Sequence, residues 1–305
     1  MTNQAITPYI LVGVDGSPAA LRAVNWAADE AHRRGLPLVL ANVVDPGDLA
    51  HRAAVGTSDS TFATPETFGR EALAAAEQRV AKRHPSVSTR AVEKTGSPAP
   101  ALIELSCDAY LTVVGATGLG GFSSILLGTV ALALVTNGHS PVAVIRGAGE
   151  IGAIPRTGPV VLGVDGSEFS EPAIAWAFDE ASRRSAVLTA IHAWTAYPNA
   201  YAQSYALASG IDYDAEEVEH RALLTERLAG WGEKYPDVRV RPMMVSGSAS
   251  DVLLDHTADA QLVVVGSRGR GEVAGAVFGS VSRMLIHHAP CPVLIARNHP
   301  THRAV

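Results

Sequence analysis

The sequence predicts two tandem α/β domains, each built on a mainly parallel, doubly wound sheet flanked by four helices. The length of 305 residues matches two domains, because one domain has about 150 residues. Segment 11–38 reappears at 161–188, an offset of 150, and 14 of the 28 positions are identical. Within each half, short apolar runs alternate with amphipathic segments, which is typical of a parallel sheet covered by helices.

The first half contains signals for five strands and four helices. Tyr9–Asp15 is an apolar, β-branched run and predicts a strand. Ser17 followed by Pro18 predicts the cap and first residue of a helix that runs to about Arg34. The further predictions are a strand at 38–44, a polar loop at 46–68, a helix at 71–84, a strand at 87–92, a helix at 99–107, a strand at 111–115, a helix at 128–137 and a strand at 142–146. The second half repeats this order.

The repeat also sets the domain boundaries. We place the first domain at residues 1–147 and the second at 158–305. Residues 148–157 are rich in glycine and proline and are predicted to form the linker.

Composition and charge exclude several classes of protein. The net charge of −6 argues against nucleic-acid binding, which needs a basic surface. Two cysteines in the chain indicate a reducing compartment. The N-terminal residues lack the pattern of a signal peptide. The longest apolar stretch, 125–135, is 11 residues long, whereas a membrane span needs about 20. We therefore expect a cytoplasmic protein that is not bound to a membrane.

Each half carries the pattern G-x2-G-x9-G-[ST] directly after a buried strand. Glycines in such a loop allow backbone N–H groups to approach an anion closely. The final Thr or Ser stands at a helix start, where unpaired N–H groups and the helix dipole favour phosphate. The two copies are Gly115, Gly118, Gly128 and Thr129, and Gly266, Gly269, Gly279 and Ser280.

Acidic residues are distributed in a way that fits an anion site. The chain has 30 acidic residues, yet none lies in 109–149 or in 273–305. Asp15 and Asp165 end the first strand of each half, in GVDGS, and a carboxylate there lies at the ligand edge of an α/β sheet. The alternative is that each aspartate only caps the following helix in a turn.

These motifs resemble the universal stress protein family. The residues that carry the resemblance are VGVDGS, the glycine pattern and HHAPCPV at 287–293. The resemblance covers both halves, as in tandem two-domain members of actinobacteria. It implies sheets with the strand order 3-2-1-4-5, in which strands 1 and 4 are neighbours. The branch of the family that has the glycine pattern binds ATP.

The resemblance implies which residues would contact one adenine nucleotide in each half, with Mg²⁺ on the phosphates. In the first half these are Asp15, Val43, Gly115, Gly118, Gly128, Thr129 and Val130. In the second half they are Asp165, Ala193, Gly266, Gly269, Gly279, Ser280, Val281 and Ser282. We add, as candidates from their positions in the motifs, Gly13, Gly163, Ser267, Arg268 and Arg270. The first half has Ala131 where the second has Ser282, and so lacks one hydroxyl.

The second site is predicted to bind phosphate more tightly than the first. Arg268 and Arg270 lie between its glycines, whereas the first loop reads ATGLGGF and has no basic residue. A well-placed arginine contact to phosphate is charge-assisted and therefore strong.

The leading hypothesis is a regulatory ATP-binding protein of the stress response, with slow or no hydrolysis and an unidentified protein partner. We find no nucleophile–base pair and no P-loop, and assign no catalytic residue. The alternatives are an ATP-using hydrolase or adenylyl-transfer enzyme, and an interaction dimer with vestigial sites. No protein metal site is predicted. His192 is interpreted as a satisfied core histidine, and its counterpart Asn42 argues against a shared chemical role.

The last strand of each half yields a prediction about assembly. Strands 142–146 and 293–297 each follow a proline, which is typical of a sheet edge, and an apolar edge favours pairing. We expect these two strands to pair, and the resemblance implies a homodimer with four sites. Light scattering at high micromolar concentration should give twice the mass of one chain, and a strict monomer would contradict the dimer.

Overall fold

The computed structural model describes residues 7–46, 65–118, 127–146, 154–194, 213–269 and 278–298. These residues divide into two compact units that correspond to the two halves of the repeat, here called unit 1 and unit 2. Residues 147–153 lie outside the described ranges, so the predicted linker at 148–157 stays a prediction.

Among its described residues, unit 1 has five strands and four helices. In chain order these are β1 (Tyr9–Gly13), α1 (Pro18–Arg34), β2 (Leu38–Val44), α2 (Pro65–Arg83), β3 (Thr89–Thr95), α3 (Pro98–Leu105), β4 (Ala109–Gly115), α4 (Thr129–Asn137) and β5 (Val142–Ile145).

Unit 2 repeats this succession within the ranges described, with a short 3₁₀ turn at Glu168–Ser170 before its first helix. Its elements are β6 (Val160–Gly163), α5 (Glu171–Arg184), β7 (Leu188–Trp194), α6 (Tyr213–Lys234), β8 (Val240–Ser246), α7 (Ala249–Asp255), β9 (Leu262–Gly266), α8 (Ser280–His288) and β10 (Val293–Ala296).

The sheet of each unit is parallel and doubly wound, as predicted. The strand order is β3-β2-β1-β4-β5 in unit 1 and β8-β7-β6-β9-β10 in unit 2. The order 3-2-1-4-5 is thereby confirmed in both units. The first strand pairs with the fourth in each sheet, Val12 beside Val113 and Leu162 beside Val264. Their carboxyl ends consequently lie at one edge, at the point where the strand order reverses.

Helix α1 shows how local sequence produces the predicted elements. The Oγ of Ser17 accepts a hydrogen bond from the N–H of Ala20 at 3.1 Å, and Pro18 occupies the first helical position. Gly35 ends the helix with a φ of 64°, a left-handed conformation that glycine adopts readily. The helix buries one alanine-rich face completely, made of Ala23, Val24, Ala27, Ala28 and Ala31.

Helix α2 begins earlier than predicted. It starts at Pro65 rather than at Glu71, so residues 65–68 do not belong to the predicted polar loop, and 47–64 lie outside the described residues. The early turns have a tertiary role, because a Cβ at Gly69 would lie 2.6 Å from Oδ1 of Asn42. A contact between distant segments is invisible to a prediction made from local pattern.

Both units contain a fully buried glutamate that is paired with arginine one helical turn later. Glu30 accepts from Arg33 and Arg34, and the side chain of Arg34 is only 2% exposed. Glu180 accepts from Arg184 at 2.7 Å. Arg34 and Arg184 also reach equivalent residues at the start of the fourth strand of each unit, the hydroxyl of Tyr110 at 3.0 Å and Oε1 of Gln261 at 3.3 Å. The twin ion pairs therefore tie the first helix of each unit to its sheet.

The units differ where the second helix packs on the first. In unit 1, Ala76 and Val80 of α2 are completely buried. The equivalent residues of α6 are Arg227 and Trp231, at an offset of 151. Unit 2 has a cleft of about 390 Å³ here, lined by Glu171, Glu226, Arg227, Gly230, Trp231 and Lys234.

In the part of the chain that the structure describes, none of the helices combines the length and the apolar character that crossing a bilayer requires.

The buried glutamate of unit 1 yields a prediction about stability. Glu30→Gln leaves the buried guanidinium of Arg34 without its carboxylate, and should lower the free energy of unfolding by about 3–5 kcal/mol. The matched control is Glu104→Gln, because Glu104 pairs with Lys94 but is 72% exposed. This control should lose less than about 1 kcal/mol. Urea denaturation measures both, and equal losses would show that burial of the pair does not stabilise unit 1.

Candidate functional site

The predicted glycine loops leave the sheet at the edge where the order of strands reverses. Strand β4 ends at Gly115 and β9 at Gly266, each beside the first strand of its own unit. A Cβ at Gly115 would lie 2.7 Å from the carbonyl carbon of Ala19 in helix α1. One at Gly266 would lie 3.1 Å from the carbonyl oxygen of Phe169. Helix α1 thus packs directly on the start of the first loop, where a Cβ does not fit. In unit 2 the 3₁₀ turn before α5 approaches the start of the second loop, where a Cβ would be tight.

In both units the aspartate of GVDGS lies against the second glycine of the loop. A Cβ at Gly118 would lie 2.9 Å from Oδ2 of Asp15, and a Cβ at Gly269 would lie 2.9 Å from Oδ2 of Asp165. The sequence placed these residues about 100 positions apart, and the fold brings them together twice.

The same aspartates also form the helix-capping turn that was the alternative prediction. Oδ1 of Asp15 accepts the N–H of Ser17 at 2.9 Å. Oδ1 of Asp165 accepts the N–H of Ser167 at 2.9 Å and the hydroxyls of Ser167 and Ser170 at 2.7 and 2.6 Å. Each carboxylate therefore fixes its turn with one oxygen and borders the glycine loop with the other.

The last glycine of each motif immediately precedes a helix. Gly128 and Gly279 are the cap residues of α4 and α8, and a glycine has no side chain to offer to the first N–H groups of the helix. The N–H of Gly128 donates to Ala116 O at 2.8 Å, and that of Gly279 donates to Ser267 O at 3.1 Å. These hydrogen bonds hold the start of α4 next to the end of β4, and the start of α8 next to the end of β9. Thr129, Val130, Ser280 and Val281 form the first turns, where backbone donors suit an anion.

Ser282 braces the second loop. Its hydroxyl is buried and donates to Gly266 O at 2.7 Å. The equivalent Ala131 is also buried but cannot make such a bond. The Ser282 hydroxyl, which has no counterpart in the first half, therefore stabilises the junction between strand and loop in unit 2.

The remaining predicted residues lie around this edge. Gly13 and Gly163 end the first strands, and a Cβ there would approach Leu102 to 3.4 Å and Leu253 to 2.9 Å, so these glycines admit helices α3 and α7. Val43 and Ala193 lie near the ends of β2 and β7, one strand further from the glycine loops. Arg268 is exposed on its loop. Arg270 lies outside the described residues.

Sequence reasoning missed two arginines at this edge. Arg146 and Arg297 directly follow the last strands β5 and β10, and both are partly buried. Burial lowers the pKa of each guanidinium, and the positive charge of Arg268 lowers the pKa of Arg297 further. Arg268 and Arg297 therefore add positive potential on the same side of unit 2. The signal was present in the repeat, because SPVAVIR and CPVLIAR both end in arginine.

Asn42 and His192, for which the sequence argued against a shared chemical role, have a common structural one. The Nδ2 of Asn42 donates to Val14 O at 2.6 Å, and the Nδ1 of His192 lies 2.7 Å from the equivalent Val164 O. Since a carbonyl only accepts, His192 donates through Nδ1. Both side chains therefore hold the residue before the site aspartate. The interpretation of His192 as a satisfied core residue is consistent with this bond.

The fold and the carboxyl edge define a class: tandem doubly wound α/β units, each with a glycine loop between its fourth strand and the following helix. The family model of the universal stress protein family matches residues 9–146 and 157–297. This chain belongs to the universal stress protein family.

Two relatives agree with that assignment, and one solved structure agrees with the fold. The universal stress protein Rv2005c of Mycobacterium tuberculosis is 39% identical over 293 residues, which are 94% of this chain and 96% of that protein. A universal stress protein of Mycolicibacterium smegmatis is 38% identical over 299 residues, covering 96% and 99% of the two chains. The crystal structure of a universal stress protein from Archaeoglobus fulgidus has a TM-score of 0.68 at 18% identity, covering 96% and 99%, and is similar in fold.

The hydroxyl of Ser282 yields a prediction about the loop. Ser282→Ala leaves the carbonyl of Gly266 without this donor and should lower the free energy of unfolding by about 1 kcal/mol. The reciprocal change Ala131→Ser should stabilise unit 1 if its hydroxyl reaches the equivalent carbonyl. As a control, Ser250→Ala removes a hydroxyl that only meets Ser248 at an exposed position. Thermal or urea unfolding of the three variants checks this, and equal effects of Ser282→Ala and Ser250→Ala would contradict it.

Proposed function

We propose that this chain is a regulatory protein of the stress response that binds one ATP in each unit. Magnesium accompanies the phosphates, hydrolysis is slow or absent, and the protein acts in the cytoplasm. The observation that carries the proposal is the contact of a carboxylate with the second glycine of the loop in both units. Repetition of the whole arrangement favours a ligand site over a tight turn, which needs glycine but no partner across the edge.

The residues present fit a phosphate chain. Gly118 and Gly269 let the backbone of each loop lie against the aspartate without a side chain between them. The helix that begins after Gly128 or Gly279 presents the N–H groups of its first turn and the positive end of its dipole to the carboxyl edge. In unit 2, Arg268 and Arg297 add positive charge that a polyphosphate would neutralise. Oxygen ligands suit Mg²⁺, and the carboxylates of Asp15 and Asp165 border the loops that would hold the phosphates.

Slow hydrolysis follows from how the aspartates are used. Asp15 and Asp165 are the acidic groups that the described residues place against the glycine loops, where they could orient a water molecule. Oδ1 of each is engaged by its own turn, and Asp165 also accepts two serine hydroxyls. They therefore support the loop more than they activate water. The test is the rate of ATP hydrolysis. A turnover well above roughly 1 s⁻¹, which is near the low end of ordinary enzymes, would favour the hydrolase alternative if Asp15→Asn and Asp165→Asn abolished it.

The two sites can be tested separately by closing one loop at a time. Gly118→Val and Gly269→Val place a side chain against the aspartate, so calorimetric titration with Mg·ATP should find two sites in the original chain, one in each variant and none in the double variant. Gly232→Val is the control, because nothing lies within 4 Å of a Cβ at that position. Undiminished binding by the double variant would show that the site assignment is wrong.

The same variants compare the affinities of the two sites. The site of unit 2, isolated in Gly118→Val, should bind about tenfold more tightly, since one good arginine contact corresponds to roughly 1.5 kcal/mol. Arg268 occupies the position of Thr117, so Arg268→Thr should weaken unit 2, and Thr117→Arg should strengthen unit 1. Equal affinities of the two sites would show that Arg268 does not bind phosphate.

A further inference from the structure

Unit 2 contains a pair of histidines that touch through their ring nitrogens. His192, on β7, is 3% exposed, and its Nδ1 donates to Val164 O at 2.7 Å. Its Nε2 therefore carries the lone pair and lies 3.2 Å from Nδ1 of His220, on α6. The ring of Trp194 lies beside that of His220, with centroids 5.4 Å apart. Two imidazole nitrogens thus converge at one half-buried point.

The first unit shows that the fold does not need this pair. Asn42 makes the equivalent bond to Val14 O with an amide. Gly69 occupies the position of His220, at an offset of 151, and a Cβ there would lie 2.6 Å from Oδ1 of Asn42. The hydrogen bond to the carbonyl before the aspartate explains why β7 has one polar side chain at this position. It does not account for a second imidazole on the neighbouring helix.

The distances fit two ligands of one metal ion. Nitrogens bound at about 2.0–2.1 Å to a tetrahedral ion are about 3.3 Å apart, and the observed separation is 3.2 Å. A histidine that binds metal through one nitrogen usually donates the other N–H to a carbonyl or carboxylate, which fixes its tautomer. The bond from His192 to Val164 O has this form. Neutral imidazoles favour zinc and copper over magnesium or calcium.

We propose that His192 Nε2 and His220 Nδ1 bind a divalent transition-metal ion of the zinc type. The metal takes the place of the proton that His220 Nδ1 holds between the two rings, and this proton moves to Nε2 of the same ring, so both imidazoles stay neutral. Within the described ranges no third His, Cys, Asp or Glu joins the pair, so water or an added ligand supplies the further coordination. Because Val164 precedes Asp165, the metal would steady the strand end that carries the site aspartate.

The experiment uses the full chain, stripped of metal with a chelator and free of nucleotide. Zn²⁺ is titrated in competition with a chromophoric indicator, and Co²⁺ reports coordination through its visible spectrum. His192→Asn and His220→Gly test the two ligands one at a time. The double variant copies the residues that unit 1 has at both positions, so unit 1 itself shows that this fold accommodates that combination. His288→Asn is the control, since His288 is exposed on α8 beside His287.

We expect one equivalent of Zn²⁺ per chain to depend on both histidines of the pair. Each variant should weaken binding by more than the roughly 10–100-fold that accompanies loss of a ligand's hydrogen-bond partner, and His288→Asn should leave it unchanged. Histidine ¹⁵N spectra should show the Zn²⁺-dependent shift at Nε2 of His192 and Nδ1 of His220. The proposal is overturned if the original chain binds no more tightly than His192→Asn, or if binding is lost only in His288→Asn.

Discussion

The neighbouring position of the first and fourth strands is the constraint on which the carboxyl edge of each unit depends. Pairing of β1 with β4, and of β6 with β9, brings a loop that follows the fourth strand against a turn that follows the first. The helix after the first strand then closes on the loop so tightly that Gly115 has no space for a Cβ. Arg34 and Arg184, paired with the buried Glu30 and Glu180, join that helix to its sheet through Tyr110 and Gln261. Site and core are therefore held by the same contacts.

Duplication makes it possible to separate what the edge requires from what varies. Both units retain the glycine skeleton, the aspartate and a side chain that donates to the carbonyl before it. The polar surroundings differ: Asp165 accepts three donors from Ser167 and Ser170, Ser282 supports the loop, and Arg268 adds a charge. The order of strands and the glycine positions are common to the two sites, whereas the turn after the first strand, the hydroxyls and the charges differ between them.

The sequence was sufficient for the parts of the fold that local pattern determines. Ser17, Pro18 and Gly35 carry the signals that begin and end α1. The apolar runs were correctly predicted to be strands. The meeting of Asp15 with Gly118 followed from strand order, which the family resemblance implied. Contacts between distant segments did not follow. Gly69 packs on Asn42 in the part of α2 that precedes its predicted start. Asn42 and His192 share a role because each bonds to the equivalent carbonyl of its own unit, and residue types alone do not reveal this.

The cleft between α5 and α6 shows how two copies of one gene segment diverge. The sheet and the inner helix are alike in the two copies, whereas the outer helix has Ala76 and Val80 in one and Arg227 and Trp231 in the other. The carboxyl edge is therefore compatible with two different outer faces, one closed and one with a cleft lined by charged and aromatic side chains.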